Sequence, residues 1–229
     1  MKRGYGQYCP LALAAELLCQ RWTILVLSRL IDDGCRRFTE IQRGVPQMSP
    51  SLLSKRLAEL EEAGLIESRP LNGKKGREYV PTEAGLALTP ITGQLAVWGQ
   101  QWARDNTLED LDPAFLVWSM HTRIDHTAMP AHQVVLEFDF SGTPKEFRRF
   151  WLVCEGGAAE MCLKDPGLEP DVAVQSDLRV FVEAWRGFRD LNSEIESGRI
   201  RVHGTDELTR QFPAWLRLSG LASHERLRS

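Results

Sequence analysis

Apolar residues recur at helical spacing through most of the first hundred positions, and alternate at strand spacing through much of the remainder. Residues 10–20 predict a helix that begins at Pro10, and residues 22–31 a second helix, apolar on most faces and so buried on several sides. Asp32, Asp33 and Gly34 break it. Residues 38–43 read as a short helix and 44–48 as a turn. Residues 49–64 then form a longer helix with Ser49 as N-cap, Pro50 at its first position and Gly64 just past its end. Leu53, Leu57 and Leu60 recur at i, i+4, i+7 on one face, Ser51, Lys55, Ala58 and Glu62 lie opposite, and Ser54 and Arg56 flank the stripe. Short helix, turn, longer helix is the helix-turn-helix pattern.

The charge order along the longer helix changes what it predicts. Lys55 and Arg56 occupy the first half, and Glu59, Glu61 and Glu62 the second. The helix macrodipole disfavours that order by about 0.3–1 kcal/mol per charge. A recognition helix, which offers its N-terminal residues to the DNA major groove, has a reason to keep it. Two strand-like runs follow, at 65–70 and 77–81, around the turn signal Asn72-Gly73. The hairpin carries Arg69, Lys74, Lys75 and Arg77, which makes a basic wing. Ser51 and Lys55 are therefore expected at base edges or nearby phosphates, with Arg56, Lys74, Lys75 and Arg77 on phosphates and Ser49, Ser54 and Arg69 completing the contact set. Thr82 caps the next helix, in which Leu88, Ile91, Leu95, Trp98 and Trp102 form a 3-4-3-4 stripe suited to a dimer seam, and Pro90 predicts a kink or a late start.

Residues 105–112 are polar and acidic and read as a linker, which sets a domain at 1–104 apart from one at 113–229. The second half predicts a helix at 113–122 and strands at 133–140, 150–154, 158–163 and 172–175. Ser176 is expected to cap a helix at 177–185. A short helix at 191–197, a strand at 198–204 between glycines, and a final helix capped by Thr205 or Asp206 complete the order. The fold class is α+β: a mainly α winged helix-turn-helix with a β-hairpin wing, then an α+β domain of mixed or antiparallel sheet with packed helices.

Charge sharpens this division. Residues 1–104 carry 14 Lys+Arg against 10 Asp+Glu, a net +4, whereas residues 105–229 carry 14 against 21, a net −7. The second half is thereby unsuited to lie along DNA. No apolar run reaches membrane-spanning length, and Met1 to Tyr8 have no apolar core of signal-peptide type behind them, so a cytoplasmic protein with no membrane partner is expected. Five cysteines without CxxC spacing argue against disulfides and a cysteine zinc site, and the irregular spacing of His121, His126 and His132 argues against a metal. Neither a phosphate-cradling glycine loop nor a GxSxG elbow is present, and no catalytic constellation or cofactor is expected.

From about Tyr8 to Ala103 the sequence resembles the HxlR family of bacterial winged helix-turn-helix regulators. The resemblance is carried by Cys9-Pro10, Arg21-Trp22-Thr23, Arg37-Phe38-Thr39-Glu40-Ile41, the run Ser49 to Leu57, the run Glu59 to Ile66, Tyr79-Val80-Pro81-Thr82 and Gly85. It implies a homodimer that binds double-stranded operator DNA. In some members a cysteine at the position of Cys9 senses oxidants or electrophiles; a small apolar residue at a helix start is the alternative role for Cys9, and a helix N-terminus favours thiol reactivity. Residues 113–218 resemble a sterol-carrier-protein type-two domain through Asp171-Val172-Ala173-Val174, Ser176-Asp177-Leu178, Trp185-Arg186-Gly187 and the strand from Gly198 to Gly204. That resemblance implies a cavity for a small apolar effector, with Phe150, Trp151, Phe181, Trp185, Phe212 and Trp215 as its candidate lining; the same rings could equally fill it as core. A lipid or hydrophobe carrier whose winged helix binds protein is the alternative function.

Overall fold

The computed structural model describes residues 4–71 and 76–228. The chain divides into two compact units that meet in sequence between Leu95 and Ala96. In the first unit the order is α1 (Pro10–Leu18), α2 (Thr23–Ile31), α3 (Phe38–Arg43), α4 (Pro50–Glu62), β1 (Ile66–Pro70), β2 (Arg77–Pro81) and α5 (Glu83–Leu86). Its core forms around α2, whose Val26, Leu27 and Leu30 are fully buried together with Ile41 of α3 and Leu53, Leu57 and Leu60 of α4. Each such side chain contributes about 1.5–3 kcal/mol by leaving water. β1 and β2 form an antiparallel hairpin in which Ile66 faces Pro81 and Pro70 faces Arg77. The turn Asn72-Gly73 lies outside the described residues.

Thr82 is a cap, accepting from the amide of Gly85 at 3.2 Å, but the helix it starts is only the short α5. A separate helix, α6 (Thr89–Trp102), begins one residue before Pro90 and runs across the boundary between the units. Proline lacks the amide proton that a helix interior needs, so it sits in a first turn. Gly85 is required where it stands, because a Cβ there would meet the carbonyl oxygen of Leu65 at 2.2 Å.

The second unit continues through α7 (Pro113–His121) and a five-stranded mixed sheet of β3 (Val134–Ser141), β4 (Arg149–Glu155), β5 (Ala158–Cys162), β6 (Val172–Asp177) and β7 (Ile200–Gly204). The order across the sheet is β5-β4-β3-β6-β7, with the central β3 and β6 parallel and the other neighbours antiparallel. Three helices, α8 (Leu178–Trp185), α9 (Leu191–Glu196) and α10 (Asp206–Trp215), complete the unit. Val134, Leu136, Phe138 and Phe140 alternate along β3 onto one face, and Phe181 of α8 packs edge-on against Phe138 and Phe140 with ring centroids 5.9 and 5.4 Å apart.

Two local expectations change in this unit. The cap of α8 is Asp177, whose carboxylate accepts from the amides of Arg179 and Val180, and Ser176 remains in β6. Successive strand residues point to opposite faces, so Ser176 is buried while Asp177 faces out and is free to cap. The segment 105–112 is not featureless: Leu108–Asp110 is a 3-10 turn. Asp110 accepts from Arg104 Nη1 and Nη2 at 2.5 and 2.8 Å and from the amide of Thr107 at 2.7 Å. These bonds, chiefly that from Arg104, hold the Asp110 carboxyl well below the usual carboxylate range. Among the described residues no single helix is long and apolar enough to cross a membrane.

Candidate nucleic-acid interface

The site begins with the way α4 is fixed at both ends. Ser49 accepts from the amide of Leu52 at 3.3 Å, Pro50 takes the first position, and Gly64 adopts φ +71°, the left-handed conformation that ends helices. The carbonyl oxygen of Gly64 accepts from the Thr82 hydroxyl at 2.7 Å, and that of Leu65 accepts from the Thr82 amide at 3.0 Å. The buried stripe Leu53, Leu57 and Leu60 then sets which face points out. Ser51, Ser54 and Lys55 are exposed, and Lys55 makes no ion pair with any described residue.

Arg56 departs from expectation. It is buried, donates from Nη1 to Gln20 Oε1 at 2.5 Å, and forms an ion pair with Glu59 one turn on. It lies three residues after Leu53 and four before Leu60, inside the apolar stripe, so its charge is spent on Gln20 and Glu59 and its guanidinium is not presented to a phosphate.

The acidic second half of α4 also has local work. Glu61 accepts from the amide and the hydroxyl of Ser68 in β1 at 3.1 and 2.5 Å, and those bonds hold its carboxyl below the ordinary glutamate value. Arg77 donates to the carbonyl and hydroxyl oxygens of Ser68, with Glu61 3.9 Å away. Arg69 pairs with Glu67 at 2.9 Å, with both side chains more than half exposed, a geometry that water screens. Helix and hairpin are thus stitched through Glu61 and Ser68, a link the sequence reading missed. A charged residue near a helix end and a serine in a strand give no pairing signal across seven positions. Lys74 and Lys75 lie outside the described residues. The first unit has further exposed basic side chains outside the expected contact set, Arg21, Arg37 and Arg43.

The other predicted residues fall into two groups. Along α6, Ile91, Leu95, Trp98 and Trp102 are 46–59% exposed, an apolar stripe about half bare, while Leu88 is half-buried and lies just before the helix, outside the stripe. Cys9 is exposed at the N-cap position of α1, and Cys19 is exposed at its other end. By contrast Phe150, Trp151, Phe181, Trp185, Phe212 and Trp215 are all buried. Phe212 packs edge-on against Trp215 at 6.3 Å, and the indole N–H groups of Trp215 and Trp151 donate to the Ala128 carbonyl and to Glu137 at 3.0 and 3.2 Å. Phe181, Phe212 and Trp215 thus pack against other rings, and the indoles of Trp151 and Trp215 have partners, as in a core.

A capped helix-turn-helix with a hairpin beside it, and with serines and a lysine on the open face of its longer helix, defines a helix-turn-helix transcriptional regulator. Residues 17–107 match the family described as HxlR-like helix-turn-helix, and the chain belongs to that family. It is 35% identical over 113 residues to the uncharacterized HTH-type transcriptional regulator YvaP of Bacillus subtilis (strain 168), covering 48% of this chain and 96% of that one. It is 34% identical over 96 residues to the HTH-type transcriptional regulator YodB of the same organism, covering 41% and 85% respectively. Among solved structures, the reduced form of YodB from B. subtilis aligns at 31% identity with a TM-score of 0.37, covering 44% of this chain and 100% of that one.

Proposed function

We propose that this regulator binds double-stranded operator DNA as a homodimer, with residues 1–104 supplying the DNA-binding and dimerisation parts and residues 113–229 a separate α+β domain joined by 105–112. The observation that carries the reading is the open face of α4, where Ser51, Ser54 and Lys55 are exposed on a helix fixed at both ends and Lys55 is uncommitted among the described residues. Hydroxyls and a lysine suit base edges and phosphates. Arg69 and Arg77 extend the basic surface into the wing, and Lys74 and Lys75 join them on the strength of the sequence between β1 and β2. Arg56 drops out of the contact set.

The bare stripe of α6 supports the dimer, because a two-fold protein reads two half-sites. The strand order of the second unit, and its ending of two helices, a strand and a helix, support the sterol-carrier type-two reading. The buried rings favour a filled core there over an open cavity, so an apolar effector would enter only by displacing them. Exposed Cys9 is the thiol through which an oxidant or electrophile would reach the DNA-binding half. A DNA-bound regulator of this kind works in the cytoplasm.

Fluorescence anisotropy of the full chain against the duplex upstream of its own coding region tests the reading. Binding stronger than to a random duplex is expected, and Lys75→Ala is expected to weaken both and lower the salt slope by about one unit. Equal affinity for both duplexes would remove the operator claim, and an unchanged slope would remove Lys75.

A further inference from the structure

The second unit gathers three arginines around one small concavity. Arg179 and Arg186 come from α8 and its C-cap, and Arg226 comes from the C-terminal segment. Arg179 and Arg226 are held in fixed poses by backbone carbonyls just beyond α6: Arg179 Nη1 donates to Asn106 at 3.1 Å, and Arg226 Nη2 to Ala103 at 2.6 Å. Arg186 is half-buried and donates from Nε and Nη2 to a neutral acceptor, Gln100 Oε1, at 3.0 and 2.8 Å, with its guanidinium 4.6 Å from the Phe188 ring centre. No carboxylate among the described residues forms an ion pair with it. Burial, with the like charge of Arg226 beside it, holds Arg186 below the usual arginine pKa.

Two acids, Asp105 and Glu183, face the cluster and offset part of its charge. Glu183 is engaged by Arg189 at 2.6 Å, with Arg179 3.9 Å away. Asp105 pairs with Arg226 at 2.6 Å, yet its side chain is 87% exposed and can swing into water. The concavity therefore has two anchored guanidiniums, a third that forms no ion pair with a described residue, and a displaceable carboxylate at its rim. Leu111, Val182 and Phe188 supply apolar wall.

We propose that this concavity binds a small organic carboxylate, whose anionic end replaces Asp105 on Arg226 and engages Arg186 and Arg179 while its short apolar body lies against Phe188 and Leu111. Planar guanidinium groups match a carboxylate in two-pronged fashion, and the site already accepts one from within the chain. Any effect of the ligand on α6, through Gln100 and the Ala103 carbonyl, rests on the dimer reading above; binding itself does not.

The test is calorimetric titration of the whole 229-residue chain with sodium benzoate at constant ionic strength, with sodium chloride and sodium phosphate as matched arms. Benzoate alone is expected to give saturable binding. Arg226→Gln is expected to weaken it about tenfold, and Asp105→Asn, which removes the internal competitor at an exposed position, to tighten it about threefold. Thermal unfolding confirms that each variant is folded, and the Asp105 variant has no core to lose. Absence of saturable benzoate binding, equal affinity in wild type and both variants, or phosphate binding as tight as benzoate would each overturn the assignment.

Discussion

Helices α4 and α6 carry apolar stripes of the same kind, and the protein uses them in opposite ways. Leu53, Leu57 and Leu60 of α4 are at most 1% exposed, whereas Ile91, Leu95, Trp98 and Trp102 of α6 are 46–59% exposed. Helical spacing says that a face is apolar; it does not say what covers it. For α4 the cover is α2 of the same chain, and the consequence is that its opposite face, with Ser51, Ser54 and Lys55, is held outward. For α6 the stripe stays about half exposed, and half-exposed tryptophans at 3-4 spacing are what supports the proposed seam between chains.

The largest expected contrast is in stability. Leu57→Ala should cost about 2–5 kcal/mol by leaving a cavity in a closed core, read from urea unfolding. Leu95→Lys should cost the protomer far less and instead shift sedimentation from dimer to monomer. A monomeric wild type, or a Leu95→Lys protein that stays dimeric, would break the comparison.

The next contrast lies between adjacent residues of α4. Arg56→Ala should lower stability by about 1–3 kcal/mol, because Gln20 and Glu59 lose a buried charged partner. Lys55→Ala, at an exposed site, should change stability by no more than about 0.5 kcal/mol while weakening DNA binding. The reverse pattern, with Arg56 governing affinity at unchanged stability, would return Arg56 to the interface.

The difference between Lys55 and Arg56 also marks how far the sequence could be read. The bounds of α4 were legible because Ser49, Pro50 and Gly64 act locally, through bonds to neighbours a few positions away. The order of the strands and helices in the second half was legible for the same reason, as alternation and caps. Burial of Arg56 was not, because its relief depends on Gln20, 36 residues away. Charge alone suggested a phosphate contact, although the spacing from Leu53 and Leu60 already put Arg56 inside the stripe. The Glu61–Ser68 link and the arginine cluster of the second unit are likewise products of tertiary folding. The six candidate lining rings of the second half were legible as buried bulk, and the packing of Phe181 on Phe140 and of Phe212 on Trp215 favours core over cavity wall.

The smallest expected effect separates the thiols. Burial pushes Cys35 and Cys154 up to about 11, so below that pH both stay protonated as well as shielded. Cys9 and Cys19 are exposed. At pH 8 a disulfide-exchange reagent should label Cys9 and Cys19 rapidly and leave Cys35 and Cys154 untouched until the protein unfolds. Raising the pH from 9 towards 11 should erode stability modestly. A thiol whose folded pKa is raised stabilises the fold below its unfolded value, and that contribution is lost as the folded thiol ionises.

The most direct measurement is anisotropy titration of the wild type and of the triple variant Ser51→Ala, Ser54→Ala, Lys55→Ala, each against an operator duplex and a random duplex at one fixed salt concentration. The triple variant should remain folded by circular dichroism, bind both duplexes more weakly, and lose most of its preference for the operator. A folded triple variant that keeps the wild-type preference would contradict the assignment of the open face of α4 as the part that reads DNA.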